Sequence, residues 1–136
     1  MSHAPKKAIH VVAGALVSLQ GQILIAQRPI GKHMAGGWEF PGGKVDQGET
    51  ALAALRRELL EELGVEVTAA EYLVSCEHEY EDRHVHLELW LVTEFTGTPQ
   101  PLDHQALRWV SVEELHGADL LPADLPLIAA LVKRLG

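Results

Sequence analysis

The segment from Gly43 to Val65, GKVDQGETALAALRRELLEELGV, restricts this chain more than any other stretch. It reads as a short helix from about Thr50 to Leu63 flanked by two glycine turns. Within it Glu58, Glu61 and Glu62 stand at i, i+3 and i+4, so their carboxylates share one helix face. Leu52, Leu55, Leu59 and Leu63 form a neighbouring stripe for a core. Like charges at that spacing destabilise a bare helix by a few tenths of a kcal/mol per pair, so the face calls for a cation. Carboxylate oxygens are hard ligands, which suit Mg²⁺ or Mn²⁺. The competing reading is a solvated acidic helix capped by Gly64. The surrounding glycines and Arg57 argue against it.

A chain of 136 residues that is 47% hydrophobic suits one domain, 1–136, around one core. The formal charge of −8 argues against a large basic footprint for a nucleic acid polymer, though a metal and a few arginines can still draw in a small nucleotide. Cys76 is the single cysteine, so no intrachain disulfide framework exists. The opening MSHAPKKAIH lacks the apolar core of a secretory signal, and no apolar run approaches a membrane span. A cytoplasmic protein without a membrane partner is the expectation. The oligomeric state, monomer or homodimer, is left open.

Along the chain, Ile9 to Leu19 and Gln22 to Gln27 are apolar, strand-like runs around Gln20-Gly21, which predicts an opening hairpin. Trp38-Glu39-Phe40 runs into Pro41-Gly42-Gly43, where proline stops a ladder and glycines permit a tight turn. Val65 to Glu79 and His84 to Phe95 read as a second hairpin, with Val85, Leu87, Leu89 and Leu91 alternating. Leu107 to Val110 is a short strand, and Pro126 to Leu135 has helical spacing. The longest irregular stretch lies around Gly97 to Gln105. Together these elements imply an α/β fold, a mixed sheet with a helix on each side.

The Gly43–Val65 run matches G-x5-E-x7-R-E-U-x-E-E-x-G-U, with U aliphatic, at every specified position, and so resembles the Nudix hydrolase signature. The resemblance implies a Nudix fold, an α/β/α sandwich whose signature forms a loop-helix-loop. It also implies that Glu58, Glu61 and Glu62 hold Mg²⁺, with Mn²⁺ as a substitute, and that a carbonyl of Gly42 or Gly43 completes the shell. Arg57 reads as an orienting residue, because a guanidinium cannot bind a cation but can grip a carboxylate such as Glu49 through two contacts. Glu49 alone would be an acidic residue near a helix amino end; its signature position gives it a functional role.

Outside the signature, HMA before WEFPGGK, DRH at 82–84 and PADLPLIAAL at 122–131 resemble the MutT branch. That branch hydrolyses nucleoside triphosphates to monophosphate and pyrophosphate, notably 8-oxo-dGTP in nucleotide-pool sanitation. Carried over by position, Arg28 would meet the phosphates and Phe40 and Arg83 would lie along the nucleotide. Asp103 would be a further acidic ligand or base. Read on their own, Lys44 is a candidate phosphate contact and His33 a candidate for a loop over the pocket. Asp124 departs from the MutT pattern, which has asparagine there. An ionised aspartate only accepts hydrogen bonds, unless a closed pocket protonates it. PAD, HQAL at 104–107 and Trp109 also resemble a sibling branch acting on CTP and modified cytosine nucleotides. Base choice is therefore open between oxidised guanine and pyrimidine. Hydrolysis of ADP-ribose or dinucleotides is a further alternative, and a non-catalytic binding module is disfavoured by the intact acidic positions.

Among the histidines, His84 and His86 share a strand face and lie near His78, but no cysteine or acidic spacing completes a zinc pattern. Trp38, Trp90 and Trp109 read as core residues. Cys76 reads as a small apolar strand residue.

Overall fold

The computed structural model describes residues 7–32, 34–104 and 106–136. His33, a candidate pocket residue, lies outside them. Strands β1 (Lys7–Leu16), β2 (Ile23–Gln27), β3 (Trp38–Glu39) and β4 (Gly42–Lys44) precede helix α1 (Ala51–Leu63). Then follow β5 (Glu66–Glu79), β6 (Arg83–Thr96), β7 (Ala106–Val110), two 3₁₀ turns at Val112–Gly117 and Leu125–Leu127, and helix α2 (Ile128–Leu135).

Helix α1 begins where Thr50 adopts an extended backbone and its hydroxyl accepts from the Ala53 N–H at 3.1 Å. It stops at Gly64, whose φ of 72° is the left-handed conformation that glycine takes without a Cβ penalty. Leu55, Leu59 and Leu63 are fully buried. Leu52 is 36% exposed and does not extend that stripe. It sits in the first turn of the helix, one turn before Leu55.

The strands form two sheets: a mixed one in the order β4-β1-β6-β5 and an antiparallel one in the order β3-β2-β7. β1 runs parallel to β6 and antiparallel to β4. The expected opening hairpin is therefore only a turn. Ser18 and Gln22 close it and Val17 pairs with Ile23, but β2 then leaves for the second sheet. The reason is that both edges of β1 are already occupied, by β4 and β6. Pro41 separates β3 from β4, yet Gly42 and Gly43 re-enter a sheet instead of forming a free turn.

Alternation along β1 divides the core. Val12 and Leu16 pack with Val92, Leu55, Leu59 and Leu63 beneath α1, while Ala13 and Ala15 join Val85, Leu87, Leu89 and Leu91 on the face covered by Ile128 and Leu131 of α2. Trp38, Trp90 and Trp109 are half-buried against these clusters. The β5–β6 hairpin forms as the alternation predicts, with register shifts along β5 between Val67 and Val74. No helix among the described residues is long and apolar enough to cross a membrane.

Gly42 is the tightest point of the scaffold, since a Cβ there would lie 2.0 Å from the Val12 carbonyl oxygen. Main chain cannot rotate away as a side chain can. Gly42→Ala is expected to lower stability by about 1–3 kcal/mol or more, read as a lower urea midpoint with an unchanged m-value.

Candidate active site

Arg57 organises the first layer of the site. Its Nε and Nη2 donate to Glu49 Oε2 and Oε1 at 2.8 and 3.0 Å, its Nη1 donates to Glu58 Oε1 at 2.9 Å, and its Nη2 also reaches the Lys44 carbonyl at 3.1 Å. One guanidinium thus ties α1 to the end of β4 and to the turn before the helix. Glu49 is held well below the usual carboxylate range, at about 2, first by Arg57 and then by the Asp46 backbone N–H. Glu61 also faces Arg57, at 3.5 Å, with more than half of its side chain in solvent.

Directed by Arg57, Glu58 lies flat against the backbone of β4. A Cβ on Gly43 would come within 2.4–2.6 Å of the Glu58 carboxyl carbon and oxygens, so only glycine admits this carboxylate. One turn later, Glu62 is buried. The loop after β6 is clamped to the end of α1, with Gln100 N–H donating to the Leu63 carbonyl and Leu102 N–H to that of Glu62. This clamp delivers Asp103 and His104 beside Glu62. His104 Nε2 lies 3.0 Å from Glu39 Oε2 and 3.5 Å from Glu62 Oε1. Glu39 in turn accepts from Arg28 Nη1 at 3.1 Å.

These groups line a cavity of about 520 Å³. Glu39, Glu58, Glu62 and Asp103 give it an acidic end; Arg28, Lys32, Lys44 and Arg83 add cations around it. Arg83 stacks over the Tyr80 ring, 4.5 Å from its centroid. Of the site residues proposed from sequence, the cavity brings together Arg28, Phe40, Gly42, Gly43, Lys44, Glu58, Glu62, Arg83, Asp103 and Asp124. Glu49, Arg57 and Glu61 form a layer outside its lining. Glu39 and His104 lie within the WEFPGGK and HQAL motifs, but the sequence reading gave neither a site role. Two signals could have found them: Glu39 is a charged residue between two aromatics, Trp38 and Phe40, and both residues sit inside the motifs that carry the resemblance.

The acidic end fits a hard divalent cation. Glu62 Oε2 is buried without a hydrogen-bond partner, and so is His104 Nδ1. The Glu62 carboxyl is pushed far above the ordinary range, first by burial and then by the adjacent Glu58, with Glu39 and Asp103 adding. A cation among these oxygens would supply the missing partner and reverse that electrostatic balance. The carboxylates there offer hard oxygen donors, as Mg²⁺ and Mn²⁺ require.

The opposite end is apolar, with Phe40, Leu121 and Ala123 beside one buried acid, Asp124. Asp124 is placed by the chain around it. The Trp38 N–H donates to the Asp119 carbonyl and the Leu121 N–H to that of Trp38, stitching β3 to the segment before the second 3₁₀ turn. The Phe40 N–H then donates to Asp124 Oδ2 at 2.9 Å. Burial raises the Asp124 carboxyl from 3.8 to about 7, against the opposing pull of the Phe40 N–H. The folded protein therefore holds a proton that the unfolded chain releases. Its contribution to stability is full below about pH 4 and is lost as the pH rises to about 7. Asp124→Asn keeps an acceptor for Phe40 and cannot titrate. Urea denaturation of this variant from pH 4 to 7 should show a stability slope shallower than wild type by up to about 1.4 kcal/mol per pH unit; an unchanged slope would show that Asp124 ionises freely.

A NUDIX domain model matches residues 8–131. The chain is 49% identical over 126 residues to the CTP pyrophosphohydrolase of Escherichia coli, covering 93% of each chain. It is 38% identical over 129 residues to the 8-oxo-dGTP diphosphatase of the same organism, covering 95% of this chain and 99% of that one. Among solved structures, the E. coli ORF135 protein superposes with a TM-score of 0.85 at 48% identity, over 94% of this chain and 91% of that one. With the signature helix, the glycine-backed carboxylates and a match across nearly its whole length, this chain belongs to the Nudix hydrolase family.

Proposed function

We propose that this protein hydrolyses nucleoside triphosphates to the monophosphate and pyrophosphate with Mg²⁺, Mn²⁺ serving as a substitute, and that oxidised guanine nucleotide, 8-oxo-dGTP, is its leading substrate. Nudix hydrolases generally use divalent metal ions. The observation that carries the proposal is the division of one cavity into a carboxylate end, with Glu62 buried, and an apolar end with a single buried acid, Asp124. A triphosphate suits the first end with cations present, and a flat base suits the second.

Glu58, Glu62 and Asp103, with a carbonyl of Gly42 or Gly43, would hold the cation, which neutralises phosphate oxygens when bound. Arg57, itself gripped by Glu49, fixes the direction of Glu58 against β4. Arg28, Lys44 and Arg83 draw in the polyphosphate and hold it by charge. Glu61, on the outer layer with Arg57, completes the acidic face of the helix. Phe40 forms the wall along the base. Asp124 recognises the base edge. As a carboxylate it accepts from the N–H groups of 8-oxoguanine; as a neutral acid it both donates and accepts, which suits the N3 and exocyclic amine of cytosine.

That dual chemistry, with the identity to a CTP pyrophosphohydrolase, favours one second reading: cleavage of CTP or 5-methyl-dCTP. A panel of nucleotides compared by kcat/KM separates the two. Preference for 8-oxo-dGTP supports the leading proposal; cleavage of cytosine nucleotides with none of 8-oxo-dGTP replaces it. Products other than monophosphate and pyrophosphate would overturn both.

Two variants test the assigned roles. Glu62→Gln should lower kcat on the order of 10²-fold or more, because it removes a buried charge facing the cation. Arg57→Lys should lower activity by about 10–100-fold, since an ammonium cannot grip Glu49 through two parallel contacts and also direct Glu58. Wild-type rates in either variant would remove that residue from the mechanism.

A further inference from the structure

The face of the mixed sheet that lies under α1 carries a second group of ligand-type side chains. Register pairs His10 of β1 with His86 of β6 and His86 with Glu77 of β5. Alternation directs His10, His86 and Glu88 to the same face as Val12 and Val92, opposite Ile9, Val11, Val85 and Leu87, which line the nucleotide cavity. The leucines of α1 pack over the Val12, Leu16 and Val92 part of this face, and His10 and His86 remain partly open to solvent.

We propose that His10, His86 and Glu88 form a binding site for one Zn²⁺-class divalent cation, distinct from the catalytic carboxylates that α1 carries and on the sheet face opposite the cavity-lining Ile9, Val11, Val85 and Leu87. Among the described residues these three offer donor atoms that all lie within 4.8 Å of one another. Zn–N and Zn–O bonds of about 2.0–2.2 Å at tetrahedral angles place ligand atoms about 3.4 Å apart. His86 Nε2 and Glu88 Oε2 are 3.9 Å apart, while His10 Nε2 touches Glu88 Oε2 more closely, so the set brackets the required spacing. Two imidazoles and one carboxylate select Zn²⁺ and its first-row neighbours over Mg²⁺, which avoids nitrogen ligands.

The supporting contacts are those of a built site. His86 Nδ1 faces Glu77 Oε1 at 2.6 Å, which puts the ring proton on Nδ1 and leaves Nε2 to the cation side. The other Glu88 oxygen accepts from Trp90 Nε1 at 3.1 Å, which holds the carboxylate in place. Glu77 is itself paired with His84 through its second oxygen, at 2.5 Å. Three ligands leave a fourth position for water. A bound cation would cross-link β1 to β6, two strands joined in parallel but 78 positions apart at His10 and Glu88.

Equilibrium dialysis of the metal-stripped protein against Zn²⁺ with excess Mg²⁺, which occupies the catalytic carboxylates, tests the site. One Zn²⁺ per chain should be retained, and it should raise the thermal midpoint of the wild type. His10→Ala and His86→Ala should abolish both effects, Glu77→Gln should weaken binding by about tenfold or more, and Glu88→Gln guards against a histidine variant that fails to fold. Co²⁺ in place of Zn²⁺ should give the intense visible bands of four-coordinate cobalt. Turnover with Mg²⁺ should be unchanged in all four variants, so failure of the nucleotide assignment leaves this test intact. Absence of Mg²⁺-resistant binding, or equal binding in folded His10→Ala, His86→Ala and Glu88→Gln proteins, would overturn the proposal.

Discussion

The guanidinium of Arg57 is the contact on which the rest of the site depends. It lies between the turn after β4 and the acidic face of α1, and it grips Glu49 with two of its nitrogens while a third holds Glu58. Without a cation at that point, four acidic side chains, Asp46, Glu49, Glu58 and Glu61, would face one another across a short distance. Exposed ion pairs contribute little to stability singly. This one matters for direction: it turns the Glu58 carboxylate onto the Gly43 backbone, where no side chain could fit.

Behind that layer the protein buries charge against its own electrostatic preference. Glu62 has one oxygen without a partner and stands beside Glu58, Glu39 and Asp103. Burial of like charges raises the free energy of the folded state unless protons or a cation compensate. Asp124 repeats the pattern at the other end of the same cavity, where the Phe40 backbone N–H donates to its carboxyl. The two ends are fixed to one rigid frame, since β4, β1 and β6 run side by side and the β3 segment is bonded to the approach to the second 3₁₀ turn. A substrate spanning the cavity meets groups whose spacing the sheet has already set.

Much of the local structure was legible from residue order. The helix limits follow from Thr50 and Gly64, and the β5–β6 hairpin follows from alternation around Glu81-Asp82-Arg83. Leu52 misled because helical periodicity reports a face and not how far a neighbouring sheet extends beneath it. The pairing of β1 with β6, in place of β2, was illegible for a similar reason: strand partners are chosen by competition for edges across the whole chain. Glu39 and His104 were given no site role because the motifs around them, WEFPGGK and HQAL, do not show which of their residues meet. Their proximity arises from the loop clamped to the end of α1 and from the edge of the second sheet. The His10, His86 and Glu88 group is more distant still in sequence and depends on parallel register.

By itself, then, the sequence determined the composition and local geometry of the Gly43–Val65 segment: a capped helix, three carboxylates on one face, and glycines where backbone must come close. Those are short-range properties, set by helical spacing and by the absence of a Cβ. Only the tertiary structure decided which carboxylates enter the cavity, Glu58 and Glu62 with Asp103 and Glu39, and which stay outside with Arg57. It alone buried Asp124, and that burial raises its pKa against the opposing pull of the Phe40 N–H. Burial and the company of other charges depend on elements that meet only when the sheets assemble, and these two quantities govern how an acid behaves.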